Sequence, residues 1–397
     1  MRIKNVKRFR GLACLAVWLA LVLFFPIGVK AGEPEDTSEQ PLPENQQELF
    51  SQLTKASGAD RLPESLPEEA RGLMEEAGLG GFSLGSFLKS PRQTIQMAIE
   101  LLKRQAKLPF QALGGILGAL LLCALMDCAA ETFAGGQLRP VFGAAVTLFL
   151  AASAILPAAE CIKSCVETVE DCSRFMVIFV PVYASVVTAC GLPAAGSVYH
   201  LFLFSAAQVI SSLVSGWLVP AAGIYMTLNI AGALSPQLKI QPLLEALKKM
   251  VCWTLSFLLA GFVALLTMQN TLSSNLDAVT LKTSKMLVSS LIPVVGGALS
   301  EALSAAGGCL RVVKSAVGIY GIAAAACIFL PVFFRTAVWY AALSIGAAAG
   351  EMLSVKEAAP LLKAGASLMG ILMAVLCLYM LLILVSTTIL LMTGMGG

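Results

Sequence analysis

A chain of 397 residues that is 57% hydrophobic and 13% charged cannot close a water-soluble surface, because soluble domains carry about 25% charged residues. Its net charge of +3 is too small for a nucleic-acid binder, and no basic cluster with interleaved aromatics accompanies it. The charge is also unevenly placed: residues 1–107 hold 14 Lys/Arg and 13 Asp/Glu, residues 108–397 hold 13 and 11, so the longer part takes lipid as its solvent.

Residues 1–31 read as a secretory signal. Arg2, Lys4, Lys7, Arg8 and Arg10 form the basic start, Gly11 to Val29 the apolar run, and Val29-Lys30-Ala31 a small-residue exit. Lys30 is unusual in such an exit and leaves an uncleaved anchor open; either way the next segment is expected outside the cytoplasm. Residues 32–107 make that extracytoplasmic part. An acidic, Pro-containing linker (Pro34, Pro41, Pro43) comes first. Two helices are expected after it. Ser65 is placed as the cap of the first, with Pro67, Glu68 and Glu69 in its opening turn. Ser90-Pro91 opens the second, with Ile95, Ile99 and Leu102 on its apolar face and Glu100, Lys103, Arg104 and Lys107 on the other. Such a helix is expected to lie on the membrane or on the membrane domain, with a partner-docking helix as the alternative.

From Leu108 the chain is a series of apolar runs. Leu108–Met126 and Pro140–Ala158 each match one bilayer crossing. Asp127, Glu131 and Arg139 form the joint between them, and 159–174 is read as a second charged joint. Phe175–Gly191 crosses again. Val198–Leu234 holds two helices meeting near Pro220. An amphipathic segment with Leu238, Leu243, Leu244 and Leu247 on one side precedes the span Met250–Met268. Met286–Ala306, containing Pro293, Gly296 and Gly297, reads as broken or re-entrant. Val312–Phe334, Ala337–Gly350 and Ala366–Met392 follow, giving seven to nine expected crossings.

Part of this is written twice. The stretch 284–295 echoes 173–183, and Ile328-Phe329-Leu330-Pro331 echoes Trp217-Leu218-Val219-Pro220; Pro181 and Pro293 stand 293 − 181 = 112 apart, Pro220 and Pro331 stand 331 − 220 = 111 apart. Weak duplication with proline-interrupted spans marks transporter-like and channel-like folds. The expected fold is an all-α polytopic transmembrane bundle with a weak internal repeat, behind a signal peptide and a small helical region. Its parts are 1–31, 32–107, a first transmembrane pair 108–172, repeat 1 at 173–281 and repeat 2 at 282–397.

Polar groups inside lipid are costly and are functional candidates by default. Glu301 and Arg335 are the sharpest, and a Glu301–Arg335 pair would neutralise both. Pro181, Pro293, Gly296 and Gly297 complete the candidate pore or interface set. Each charge is weighed against an interfacial side chain reaching water. Asn229 and Gln208 suit bonds to a neighbouring helix, and His200, the single histidine, suits an interface. Eight of the eleven cysteines lie in or beside apolar runs, and Cys161, Cys165 and Cys172 fall at helical spacing on the joint 159–174; without a CxxC pair they read as structural thiols. No metal, cofactor or catalytic set is expected: HExxH and the phosphate loop are absent from the sequence.

Leu281-Lys282-Thr283-Ser284-Lys285, Ile292-Pro293-Val294-Val295-Gly296-Gly297-Ala298-Leu299-Ser300-Glu301-Ala302 and Val313-Lys314-Ser315-Ala316-Val317-Gly318-Ile319-Tyr320-Gly321 together resemble the stage III sporulation protein AE family. The resemblance implies a non-enzymatic subunit of a secretion-like channel linking mother cell and forespore, needed for late forespore development. It implies residence in the mother-cell membrane surrounding the forespore. The partners it implies are other stage III proteins, among them a cytoplasmic secretion-type ATPase and ring-forming membrane proteins. No catalytic residues come with it. The competing expectation is a stand-alone secondary transporter with a midplane site between its repeats. An enzyme acting within the membrane has no nucleophile–base set to support it.

Overall fold

A computed structural model describes residues 52–77, 91–133, 139–234, 240, 242–264, 267, 296–353, 355 and 358–392. The signal segment, the linker and Pro293 lie outside them. Among the described residues the chain is helical throughout. Two single turns of 3-10 helix (Ala59–Arg61 and Pro63–Ser65) precede α1 (Glu68–Glu76), α2 (Pro91–Phe133) and α3 (Arg139–Ala189). Then come α4 (Pro193–Leu213), a π-helical turn (Val214–Leu218), α5 (Val219–Leu234), α6 (Pro242–Ala264), α7 (Gly296–Met352) and α8 (Ala358–Met392).

The helices are longer than the hydropathy pattern suggests. Residues 159–174, expected to turn the chain, continue α3 without a break. No Gly or Pro occurs between Ala158 and Val180, so nothing ends the helix. Local ion pairs hold it instead: Lys163–Glu167 at 3.7 Å, Arg174–Glu170 at 3.8 Å and Arg174–Asp171 at 3.5 Å. The expected spans 312–334 and 337–350 likewise merge in α7, with Pro331 inside it. The two helices expected around Pro220 run on as one apolar stretch, Pro193–Gly232. The π turn just before Pro220 absorbs the backbone hydrogen bond that proline cannot donate. Among the described residues six helical stretches are long and apolar enough to cross a membrane.

A true reversal occurs at Cys190–Leu192. Gly191 adopts φ 85°, the left-handed conformation that closes a helix end, and Leu192 N donates to Val187 O at 3.3 Å. Pro193 then starts α4 where its missing N–H costs nothing.

The core lies between α3, α7 and α8. Phe175, Phe179 and Tyr183 fall one turn apart on α3 and stack at 5.4 and 5.5 Å. Tyr199 of α4 meets Tyr183 edge-on at 5.5 Å. On the other side α7 comes close because Gly318 and Gly321 face the ladder. A Cβ on Gly321 would lie 2.1 Å from the Phe179 ring, and one on Gly318 would lie 2.7 Å from Tyr183 Oη. Polar side chains tie α8 in: Tyr379 Oη is 3.1 Å from Ser173 Oγ, and Tyr199 Oη is 3.1 Å from Thr387 Oγ1. Where lipid removes most of the hydrophobic drive between helices, close packing and such bonds decide the fold.

The segment 52–77 is strapped onto this bundle. Ala59, Leu62, Leu66, Ala70 and Met74 join the main core, and Leu73 packs with Leu101 and Leu330. One sequence expectation fails here. Ser65 Oγ bonds back to Leu62 O at 2.7 Å, closing a 3-10 turn, while α1 starts at Pro67 without a side-chain cap. On α2 the buried residue is Leu101, whereas Ile99 and Leu102 are exposed. α2 packs on α7, the membrane-domain alternative of the expectation.

Candidate functional site: a charged belt at mid-height

Arg335 sits in the second half of α7, half-buried. Its Nη2 donates to Glu160 Oε2 at 2.5 Å and its Nη1 to Ser164 Oγ at 3.3 Å. Glu160 and Ser164 are one turn apart on α3, so the planar guanidinium reaches both. Between them and onward from them α3 carries Lys163, Glu167, Glu170, Asp171 and Arg174, making a belt of both signs on its outer face. The buried side of the same stretch is Cys161, Cys165 and Cys172. These thiols pack as small hydrophobes. Among the described residues no group of three His, Cys, Asp or Glu side chains converges on a metal-sized gap.

The expected Glu301–Arg335 pair is replaced by Glu160–Arg335. Both expected partners lie on α7, 335 − 301 = 34 residues apart, which is about 51 Å along one helix. The Glu301 side chain itself lies outside the described residues. Gly296 and Gly297 begin α7, and Pro181 lies exposed within α3 beside the aromatic ladder. Asn229, expected to bond a neighbouring helix, donates from Nδ2 to Tyr225 O of its own helix at 2.7 Å. Gln208 and His200 are exposed, and the His200 ring lies 6.0 Å from Phe204. Sequence reasoning missed Glu160 and Ser164. The signal was present in the i,i+4 charge pattern of 160–174, which belongs to a solvated helix face rather than to a loop.

The ends of the bundle are charged as well. Cys190 Sγ meets Leu310 O at 3.3 Å, which sets Arg311 and Lys314 beside the α3–α4 reversal. At the opposite end Lys363 of α8 pairs with Glu351 of α7. Between these ends the outward-facing side chains are mostly apolar. Leu108, Phe110, Leu122, Leu125, Leu156 and Ile224 are among the exposed ones, as befits a lipid-facing surface.

Comparison with known proteins agrees with this picture. The chain is 21% identical over 329 residues to a protein described as stage III sporulation protein AE from Bacillus subtilis (strain 168), covering 81% of this chain and 82% of that protein. No solved structure matches. The family model for stage III sporulation protein AE matches residues 79–394, a range that takes in α2 through α8, and the chain belongs to that family of sporulation-associated membrane proteins.

Proposed function

We propose that this chain is a non-enzymatic membrane subunit of a secretion-like sporulation channel that links mother cell and forespore and serves late forespore development. It resides, in this reading, in the mother-cell membrane surrounding the forespore, with 32–107 between the two membranes. Its partners are other stage III proteins, among them a cytoplasmic secretion-type ATPase and ring-forming membrane proteins. The observation that carries the reading is the belt: Arg335, Glu160 and their charged neighbours interrupt long helices whose flanking stretches are apolar. Charge in that position is costly unless it serves water, a solute or a partner. No motif for nucleotide hydrolysis stands in the sequence, so energy for movement comes from a gradient or from a partner. Glu301, Pro181, Pro293, Gly296 and Gly297 remain proposed parts of the same passage or interface.

The test is a strain lacking the gene, complemented with the parent chain, Arg335→Ala or Glu301→Gln. Loss of late forespore gene expression in the deletion, restored by the parent and not by Arg335→Ala, is the expected result. Normal spores from the deletion would end this reading. The secondary-transporter reading draws on Pro220 and Pro331, which both fall inside long membrane helices. It expects solute uptake into vesicles by the purified chain alone.

A further inference from the structure

The exposed surface changes character at one height of the bundle. On α2 the exposed charges Glu100, Lys103, Arg104 and Lys107 give way to exposed Leu108, Phe110, Leu121 and Leu122. On α3 exposed Leu148, Phe149 and Leu156 give way to charge from Glu160 onward. Leu101 packs with Leu330, and Ile116 lies beside Gly346, so α2 keeps pace with α7. The height of Arg335 therefore falls at 101 + 5 = 106 on α2, next to Lys107. On α3 it falls at Glu160, the ion-pair partner of Arg335. Segment 52–77 stays on the charged side, with Leu73 on Leu330 and Glu76 at 3.9 Å from Arg104. On the next face Tyr199 meets Tyr183, and equal counts of 23 away from that pair set position 222 level with Glu160. Gln208, Ser212 and Ser215 are exposed before that position, with Val209 among them, and Ile224 is exposed after it.

The unbroken course of α3 makes that change decisive. Its two apolar runs, 140–158 and 175–189, lie on one helix and extend over 189 − 140 = 49 residues, about 74 Å. Even at a tilt of about 40° this covers about 56 Å of depth, more than a bilayer with its headgroups, about 40–45 Å. Only one run can be immersed. No charged residue stands between Arg139 and Glu160 on α3 or between Lys107 and Asp127 on α2, gaps of 160 − 139 − 1 = 20 and 127 − 107 − 1 = 19 residues. These are about 30 and 28 Å of helix, against a hydrocarbon core of about 30 Å. The run 140–158 thus has a partner helix and charged edges at bilayer spacing. The run 175–189 instead lies beyond the belt, whose open charges lipid does not solvate.

We propose that, on the face formed by segment 52–77, α2 and α3, the bilayer ends at the height of Arg335. The hairpin 108–126 and 140–158 is immersed, and the half of α3 that carries Phe175, Phe179 and Tyr183 stands outside the lipid. Lys103 and Lys107, exposed at that edge, meet the lipid phosphates. On the far face Lys248 lines a crevice with Ala222, at the same height, and α6 past it exposes Trp253, Phe257 and Val263. Lipid climbs higher on that face, so the bundle leans, within the tilt of membrane helices, up to about 40°. Under the proposed function the outer side is the space between the two membranes; the inference rests on that reading for the name of the side alone.

The experiment uses the full chain alone in vesicles of phosphatidylglycerol and phosphatidylethanolamine. Leu122→Cys, Leu156→Cys, Lys163→Cys, Ile178→Cys and Phe257→Cys are each treated with a charged, membrane-impermeant methanethiosulfonate. Freezing and thawing brings the reagent to both sides of the membrane, and labelling is counted above that of the parent chain. All five side chains are exposed, so the substitutions leave the packing as it is. A thiol in water ionises and reacts, whereas one in lipid does not, so 163 and 178 label at least about tenfold faster than 122, 156 and 257. Labelling at 178 as slow as at 156 would overturn the proposal by returning the aromatic half of α3 to lipid. Labelling at 122, 156 or 257 as fast as at 163 would overturn it as well, by taking lipid away from the hairpin or from α6. Because no other sporulation protein is present, these outcomes are independent of the sporulation phenotype that tests the broader reading.

Discussion

Gly321→Ala adds one methyl group at the closest helix approach in the bundle. The new Cβ would stand 2.1 Å from Cζ and 2.2 Å from Cε2 of Phe179. Ordinary carbon contacts lie near 3.5–4 Å, so the ring must retreat by about 1.5 Å. It has nowhere to go: Phe179 is fully buried and stacked between Phe175 and Tyr183. Overpacking of this kind costs about 3 kcal/mol, and the better helix propensity of Ala returns about 1. The net loss is about 2 kcal/mol, roughly 30-fold in the folding equilibrium. Two companions isolate the cause. Gly308→Ala on the same helix meets nothing within 4 Å and gains up to about 1 kcal/mol. In a Phe179→Leu background, Gly321→Ala costs less than about 1 kcal/mol, a coupling that a double-mutant cycle reads directly. Unfolding of detergent-solubilised protein by graded SDS, followed by circular dichroism, gives all of these values. A Gly321→Ala chain within about 0.5 kcal/mol of the parent, or one equally destabilised in both backgrounds, would refute the packing argument.

Three further expectations use the same unfolding assay or simple chemistry. Tyr379→Phe strands the buried Ser173 hydroxyl and costs about 1–2 kcal/mol, whereas Tyr183→Phe is neutral or stabilising, because Tyr183 Oη is buried with no hydrogen-bond partner among the described residues. Arg335→Ala and Glu160→Ala couple by no more than about 1 kcal/mol in a cycle, since Glu160 is largely exposed; Arg335→Lys restores less than half of it, because a lysine cannot reach both Glu160 and Ser164. Burial pushes the Cys190 thiol up, against the opposing pull of Lys314 and Arg311. Less thiolate is then present at neutral pH, so alkylation of Cys190 by N-ethylmaleimide is slow at pH 7 and accelerates as pH rises past 9; a rate already at its plateau at pH 7 would contradict this.

Composition alone carries the membrane and the all-α character, because a long chain with so few charges has no other solvent. The helix start at Pro91 is equally plain, as proline at the first turn has a local cause. Helix ends are far less legible. Hydropathy windows score solvent preference, and a charged stretch such as 159–174 lowers the score whether the backbone turns or not. Only the missing Gly and Pro, together with the i,i+4 pairs, reveal continuity there. Arg335 was legible as a costly charge, but its partner was not. The choice between Glu160 and Glu301 depends on which helix lies beside α7, and no local pattern encodes that. Gly318 and Gly321 stood in the stretch that carries the family resemblance, yet their role needs the Phe179 ring and the Tyr183 hydroxyl opposite them to be visible.

An unbroken α3 has no slack. Every residue advances a helix by about 100° of rotation, so one amino acid inserted near Val166 would swing Phe175, Phe179 and Tyr183 away from α7 and aim charged neighbours at the core. A hinge between separate spans would absorb such an insertion; a single shaft transmits it, undiminished, to the reversal at Gly191. The length of this helix is thus itself a specification, fixing how the two ends of the bundle are phased against each other.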